Sequence, residues 1–152
     1  MNPEDLYHTG IVVEDFDAAM RWFTDVAGYR WCDELAVEQE VWTPEGERKV
    51  PIHFAYSMSE PRLEVVEAVP DTVWAPSGSG AHHLGFWSDD VDSDIEKLVR
   101  NGIHVEVKAP MPDGSSLWAY CHGPGAPRLE LVSRSLEPMM ADWFATGRSP
   151  LG

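Results

Sequence analysis

His8-Thr9-Gly10-Ile11 recurs later in the chain as His83-Leu84-Gly85-Phe86, and this duplication decides the fold. Pro61-Arg62-Leu63-Glu64-Val65-Val66 recurs in the same way as Pro127-Arg128-Leu129-Glu130-Leu131-Val132. Each half of the chain therefore begins with a His on an apolar strand and ends with a Glu on an apolar strand. Two modules of one plan, paired about a pseudo-twofold axis, place equivalent positions opposite each other. The duplication thus predicts that four residues distant in sequence meet at one point.

The spacing of apolar residues predicts the same order of elements in both halves, a strand, a helix and then several strands. In each half the helix begins after an acidic cap and ends at a glycine, Gly28 in the first and Gly102 in the second. We predict strands at residues 6–13, 29–35, 38–43, 50–58 and 62–69, and then at 82–88, 103–108, 116–122 and 128–133. A short amphipathic helix is predicted from Leu136 onward.

The chain is expected to form a single domain, residues 1–152, because its length suits one shared core. Its modules are predicted at residues 6–70 and 81–133. Residues 71–80 are rich in Pro, Ser and Gly and predict a linker between the modules. Residues 134–152 form a C-terminal tail in this interpretation.

The acidic composition excludes several classes of partner. Eleven basic residues stand against 26 acidic ones, and the net charge of −15 would repel nucleic acid and anionic membrane surfaces. It also disfavours a polyanionic ligand such as a coenzyme A thioester. We therefore expect a small-molecule substrate, with no nucleic-acid or membrane partner.

Cysteine usage and the first residues indicate a cytoplasmic protein. Cys32 and Cys121 provide no disulfide framework, which suits a reducing compartment. The first five residues lack the basic and apolar stretches of a signal peptide. We also expect a homodimer, because the predicted modules leave sheet edges and apolar helix faces to cover.

The duplicated residues His8, Glu64, His83 and Glu130 match the ligand set of a divalent metal centre. Imidazole and carboxylate suit Zn, Ni, Co, Mn or Fe, and the absence of thiolate argues against a structural Cys-type zinc site. On a six-coordinate ion, four protein ligands would leave two positions for adjacent oxygens of a substrate. We therefore expect a divalent metal ion as cofactor.

Each of these residues also has a plainer interpretation. A single His on a strand is usually a hydrogen-bonded core or surface residue, and Glu64 or Glu130 could be the solvent face of a strand. Their occurrence in duplicate favours the metal interpretation. His82 is expected to face away from His83, and Glu67 away from Glu64, so neither is predicted to be a ligand.

These residues resemble the vicinal oxygen chelate superfamily, which includes glyoxalase I, methylmalonyl-CoA epimerase, extradiol dioxygenases and bleomycin-binding proteins. The resemblance covers roughly residues 6–133, and residues 80–92 are similar to the start of the second module in the epimerase-like branch. It implies an α+β fold of two tandem βαβββ modules that form a curled mixed sheet around a central site. The metal ligands of that family stand where His8, Glu64, His83 and Glu130 stand here.

The residues that select known substrates in this family depart from its patterns. Epimerases usually carry Gln at the position of Glu64. They also carry a Glu on the strand that corresponds to residues 50–58, and this segment contains no Glu here. Its nearest polar residues are His53 and Tyr56. The glutathione-holding Arg of glyoxalase I is missing from residues 9–13. Dioxygenases rely on two His and one carboxylate, and a fourth ligand would occupy a position that dioxygen or substrate needs.

The expected function is that of a divalent-metal-dependent enzyme of the isomerase, epimerase or lyase type. It would chelate the vicinal oxygens of a small carbonyl substrate and stabilise an enolate, with Glu130 or else His53 shuttling the proton. A small-molecule or antibiotic-binding resistance protein and an extradiol-type dioxygenase on the same fold are the alternatives. The sequence leaves open whether one chain or two swapped chains build the site.

Overall fold

The computed structural model describes residues 1–78 and 80–151. The strands in these residues are β1 (Leu6–Val13), β2 (Leu35–Thr43), β3 (Gly46–Tyr56), β4 (Leu63–Glu67), β5 (His83–Ser88), β6 (His104–Pro110), β7 (Ser116–His122) and β8 (Leu129–Ser133). The helices are α1 (Phe16–Ala27), α2 (Val91–Arg100) and α3 (Glu137–Thr146), with short 3-10 helices at Pro3–Asp5 and Arg134–Leu136.

The strands form one closed barrel in the order β1-β4-β3-β2-β6-β7-β8-β5. Within each half the first strand pairs in parallel with the last, β1 with β4 and β5 with β8. The halves meet where β1 pairs antiparallel with β5, and again where Trp42 of β2 pairs with Lys108 of β6. The predicted α+β fold of two βαβββ modules around a central site is confirmed.

The helices α1 and α2 begin and end as their sequences predict. The side chain of Asp15 accepts a hydrogen bond from the backbone N–H of Ala18, and Asp90 does the same for Ser93. Gly28 ends α1 in the left-handed conformation, with φ 74°. Each helix packs on outward-facing residues of its own half, α1 on Ala55 and Val65 and α2 on Ala119 and Leu131. Because side chains alternate along a strand, the neighbours of these residues face the barrel interior.

The predicted strand at residues 29–35 is wrong. Within it Trp31 makes one isolated bridge to Ser57, and the regular strand starts only at Leu35. The aromatic rings of Tyr29 and Trp31 instead stack on each other and pack edge-on against Phe23 of α1. Packing against the helix thus replaces strand pairing in this segment.

The predicted linker, residues 71–80, contains a core residue. Trp74 is 2% exposed and packs with Val12, Val50 and Tyr120. Its Nε1–H donates a hydrogen bond of 3.3 Å to the hydroxyl of Tyr120. The connection between the halves is therefore anchored in the barrel.

Among the described residues, no helix is long and apolar enough to span a membrane.

Candidate metal centre

Four strands that lie side by side in the barrel carry the predicted ligands, one ligand on each of β4, β1, β5 and β8. Their register is the same in both halves, and a glycine pairs with a Glu on one side and a His on the other in each half. The pairs are Gly10 with Glu64 and His83, and Gly85 with Glu130 and His8.

The ligand atoms of these four residues converge at the centre of the barrel. His8 Nε2 lies 3.0 Å from His83 Nε2, 3.0 Å from Glu130 Oε2 and 3.6 Å from Glu64 Oε2. His83 Nε2 lies 3.0 Å from Glu64 Oε2 and 3.4 Å from Glu130 Oε2. All four ligand atoms lie within 4.8 Å of one another, and all four residues are buried. Both halves of one chain thus meet at a single site.

The spacing of these atoms fits a divalent metal ion. Bonds of about 2.0–2.2 Å would place neighbouring ligand atoms about 3.0 Å apart in octahedral geometry and about 3.4 Å apart in tetrahedral geometry. The five measured separations lie between 3.0 and 3.6 Å. Glu64 Oε2 and Glu130 Oε2 are buried without a hydrogen-bond partner among the described residues. Two buried carboxylates of this kind require a positive charge beside them.

The imidazoles supply that positive charge in the metal-free protein. Burial opposes ionisation of Glu64 and Glu130, but contact with His8 and His83 outweighs it and lowers the pKa of both carboxyls. In return the carboxylates raise the pKa of His8 and raise that of His83 to about 9, against the opposing effect of burial. A metal ion at this site would therefore replace protons on the imidazoles.

A second histidine orients His83. His82 Nε2 donates to the backbone carbonyl of Val73 at 2.8 Å, so its Nδ1 is the unprotonated nitrogen. Burial lowers the pKa of His82 to about 4, which keeps the ring in this neutral form. His83 Nδ1 donates to His82 Nδ1 at 2.9 Å, which leaves His83 Nε2 facing the carboxylates. Outer hydrogen bonds of this type fix the tautomer and direction of metal-binding histidines.

Each ligand histidine lies directly over a glycine of the opposite half. A Cβ at Gly10 would stand 1.9 Å from the His83 ring, and a Cβ at Gly85 would stand 1.9 Å from the His8 ring. No other residue type leaves room for the imidazoles in these positions. The His-x-Gly repeat therefore contains both a ligand and the space for the ligand of the other half.

Two tyrosines stand at matching positions beside the centre. Tyr56 pairs with Glu64 across β3 and β4, and Tyr120 pairs with Glu130 across β7 and β8. Burial and the nearby carboxylates raise the pKa of both phenols well above the ordinary value. Both side chains therefore stay protonated and can donate hydrogen bonds toward the site.

The structure does not bring His53 to this centre. Its Nδ1 lies 2.9 Å from Glu67 and its Nε2 lies 3.1 Å from Glu34, and its ring packs 4.1 Å from that of Phe16 on α1. Phe54, the next residue on β3, lines the interior cavity, whereas His53 points to the outer face. His53 therefore lies outside the group of four residues that converge at the centre of the barrel.

A cavity of about 270 Å³ adjoins the four residues, and Glu64 and Glu130 form part of its wall. The rest of the wall comes from inward-facing side chains of both halves and from the C-terminal segment. It is mainly aromatic and aliphatic, and includes Phe54, Trp74, Trp118, Tyr120 and Trp143. A small molecule in this cavity would contact the two carboxylates of the candidate metal centre directly.

Residues 7–122 match the family model of the glyoxalase/bleomycin resistance protein/dioxygenase superfamily. The chain belongs to this superfamily. It is the vicinal oxygen chelate superfamily, which the sequence was expected to resemble. A search among curated proteins found no match.

Solved structures of the superfamily share the fold of this chain. A Streptomyces coelicolor methylmalonyl-CoA epimerase is 20% identical with a TM-score of 0.59, covering 85% of this chain and 96% of the other. The Mycobacterium tuberculosis methylmalonyl-CoA epimerase is 19% identical with a TM-score of 0.54, and the match covers 85% of this chain and 87% of that one. A variant of 4-hydroxymandelate synthase from Streptomyces coelicolor is 23% identical with a TM-score of 0.58, and the match covers 88% of this chain and 39% of that one. At these identities the likeness shows the fold alone.

Sequence reasoning missed several residues of this superfamily member's site. The prediction that His82 faces away from His83 is wrong, because His82 precedes the first residue of β5 and its Nδ1 lies 2.9 Å from Nδ1 of His83. Two adjacent histidines in the sequence are a signal for such an outer hydrogen bond. Trp74 stands alone in a Pro-, Ser- and Gly-rich segment, where a large apolar residue indicates an anchor. Gly10 and Gly85 were visible in the repeat, but their role depends on strand register, which the sequence does not contain.

Proposed function

We propose that this protein is a divalent-metal-dependent enzyme of the isomerase, epimerase or lyase type. Its substrate is a small carbonyl compound with two adjacent oxygens. The observation that carries the proposal is the convergence of two imidazole nitrogens and two carboxylate oxygens, all within 4.8 Å of one another, beside an apolar cavity whose wall includes the two carboxylates. The superfamily includes enzymes on this fold, since the solved neighbours carry epimerase and synthase names.

A bound divalent ion would supply Lewis acidity toward the two substrate oxygens and so stabilise an enolate. His8, Glu64, His83 and Glu130 would hold it. Glu130 is also the proposed proton carrier, because its carboxylate forms part of the cavity wall.

The apolar wall excludes water from the reacting carbon. Tyr56 and Tyr120, which stay protonated, donate hydrogen bonds to negative charge that develops on a substrate oxygen. These residues supply the positioning, and Glu130 supplies the proton transfer.

The test is metal content after purification without chelator, followed by exchange of the acidic C–H of candidate carbonyl compounds in heavy water. The His83→Ala/Glu130→Ala double variant is expected to retain less than about one hundredth of the wild-type metal affinity. A matched control, His104→Ala/Glu38→Ala, replaces one exposed His and one exposed Glu and should bind metal normally. Equal metal content in the wild type and the His83→Ala/Glu130→Ala variant would contradict the proposal.

Two other functions predict different outcomes of the same experiments. A binding or resistance protein would take up aromatic small molecules tightly in EDTA and would show no exchange or turnover. An extradiol-type dioxygenase would hold iron and consume oxygen with catechols. The apolar wall is compatible with aromatic ligands in both cases, so metal-dependent proton exchange is the deciding measurement.

The homodimer and the cytoplasmic location stay predictions. The barrel closes, so among the described residues the sheet-edge argument for a dimer no longer applies. The remaining support is the apolar surface of α1, where Trp22 is 54% exposed and Val26 is 67% exposed. Light scattering on the Trp22→Glu/Val26→Glu variant tests it, with a change from dimer to monomer as the expected result.

A further inference from the structure

The cavity beside the metal centre contains no positive charge that could bind an anionic substrate. None of the described residues that line it is Lys or Arg, and its charged residues are Glu64 and Glu130. A divalent ion would cancel the charge of these two carboxylates, leaving the floor of the cavity neutral. Burying a carboxylate or phosphate of the substrate here would go uncompensated. The net charge of −15 acts against anions in the same direction.

The size of the cavity limits the part of the substrate that it encloses. An apolar cavity of about 150 Å³ is large enough to hold benzene. The 270 Å³ found here therefore suits one ring with a short side chain. The bulk of a coenzyme A or glutathione group would have to lie outside it.

The C-terminal segment closes the cavity with apolar side chains. Met140 and Trp143 of α3 line it, and both are buried. The segment is fixed to the first half, because the Arg62 guanidinium lies 3.8 Å from the Phe144 ring centre and Asp33 N–H donates to the Gly147 carbonyl at 2.7 Å. This wall lies beyond residue 122, where the match to the superfamily model ends.

We propose that the substrate is a neutral molecule in which an aryl or branched alkyl group adjoins two adjacent oxygens, as in an aryl-substituted α-hydroxyketone or 1,2-diketone. The apolar group occupies the cavity under α3, and the two oxygens face the metal centre. On this proposal coenzyme A thioesters and glutathione conjugates are not the substrates, because their anionic groups would lie against a protein with a net charge of −15. This inference rests on the proposed function for the position of the oxygens, and on the cavity alone for the apolar group.

The test uses hydroxamic acids, which present two adjacent oxygens to a metal ion, and starts from protein whose metal content has been measured separately. Calorimetry compares benzohydroxamic acid, acetohydroxamic acid and 4-carboxybenzohydroxamic acid on metal-loaded and metal-free protein. Burial of the ring should make the benzo compound bind at least ~30-fold tighter than the aceto compound. The carboxylate should remove most of that gain.

A charge placed at the cavity wall sharpens the test. Met139 lines the cavity and is 41% exposed, so Met139→Lys introduces a cation with little risk to folding. It should improve binding of the carboxylated compound relative to the benzo compound by about tenfold. Val99→Lys, at an exposed position on α2 away from the cavity, should leave the ratio unchanged.

The outcomes separate the two proposals. Equal affinity for the benzo and aceto compounds, or preference of the unaltered protein for the carboxylated one, would overturn the substrate class while leaving the metal site intact. Failure to bind metal, together with retained preference for the benzo compound on metal-free protein, would overturn the proposed function and support the apolar site.

Discussion

The two halves of the barrel carry the same candidate ligands, one His and one Glu each, but support the two histidines differently. His83 is oriented through its Nδ1 by His82, which is itself fixed by the Val73 carbonyl. The Nδ1 of His8 is buried and has no hydrogen-bond partner among the described residues. The edge of the His8 ring instead meets Tyr7 and Tyr56. The duplication has therefore kept the ligands and changed what holds them.

The residue that precedes each ligand accounts for this difference. His82 precedes His83, and Tyr7 precedes His8 at a point where the register of β1 shifts. The Tyr7 ring stacks on Trp87, with ring centres 3.9 Å apart. One half thus positions its imidazole by a directional hydrogen bond, and the other by the packing of rings. This contrast predicts that matching substitutions in the two halves change metal affinity to different extents.

The largest effect is expected from filling the space under either imidazole. In Gly10→Ala and Gly85→Ala the new methyl group would overlap the His83 or the His8 ring, so the ring or the strand must move. We expect metal affinity to fall more than ~100-fold and the free energy of unfolding to drop by about 1–3 kcal/mol. Metal titration and urea unfolding measure the two effects.

Gly78→Ala is the matched control, because nothing lies within 4 Å of a Cβ at that position. It should change neither quantity. Gly10→Ala should be the more damaging of the two site variants, since a displaced His83 also loses its bond to His82. A Gly10→Ala protein with unaltered metal affinity would show that the imidazoles are not fixed where the structure places them.

The next largest effect tests the outer histidine directly. His82→Phe keeps a ring but removes the acceptor for His83 Nδ1–H, and metal affinity should fall about 10- to 100-fold. Tyr7→Phe, at the equivalent position of the first half, should change it less than about threefold. Competition with a chelator of known affinity measures both. Equal losses in the two variants would refute the contrast between the halves.

The third prediction concerns pH. The pKa of His8 is raised and that of His83 is raised to about 9 in the metal-free protein, so both rings are in the positively charged imidazolium form at pH 6. Each proton must leave before the nitrogen can bind an ion, so affinity should fall as pH falls, by about tenfold per pH unit for each ring. Calorimetry in buffers of different ionisation enthalpy should count two released protons at pH 6, one from each half. A count of zero would rule out imidazole ligands.

The smallest effect belongs to His53, which has Leu117 at the matching position of the second half. Burial opposes its protonation, but Glu67 and Glu34 outweigh it and raise the pKa of His53. Its stabilisation is therefore present below about pH 6.5 and is lost as pH rises through the raised value. His53→Gln should lower the free energy of unfolding by less than about 1 kcal/mol at pH 5.5, and by less still at pH 9. Urea unfolding at the two pH values measures the change, with His104→Gln as control. A larger loss of unfolding free energy at pH 9 than at pH 5.5 would contradict the prediction.

Repetition made the fold and the four central residues predictable from the sequence. Each His or Glu alone is compatible with a surface strand, but a copy at the matching position adds the constraint that the two must be equivalent in space. The sequence could not reveal contacts that depend on how the copies dock. The strand predicted at residues 29–35 failed because its aromatic residues pack on α1, and the burial of Trp74 depends on a cavity that both halves create.

The reciprocal placement of His8 over Gly85 and His83 over Gly10 has a consequence for how such a site can arise. A single ancestral module with one His-x-Gly and one Glu would already hold everything that a second identical copy needs. Two copies meeting about a twofold axis would then complete the centre without any new residue. After gene fusion the two halves can diverge independently. His82 and Tyr7 stand at matching positions where the two halves of this chain differ.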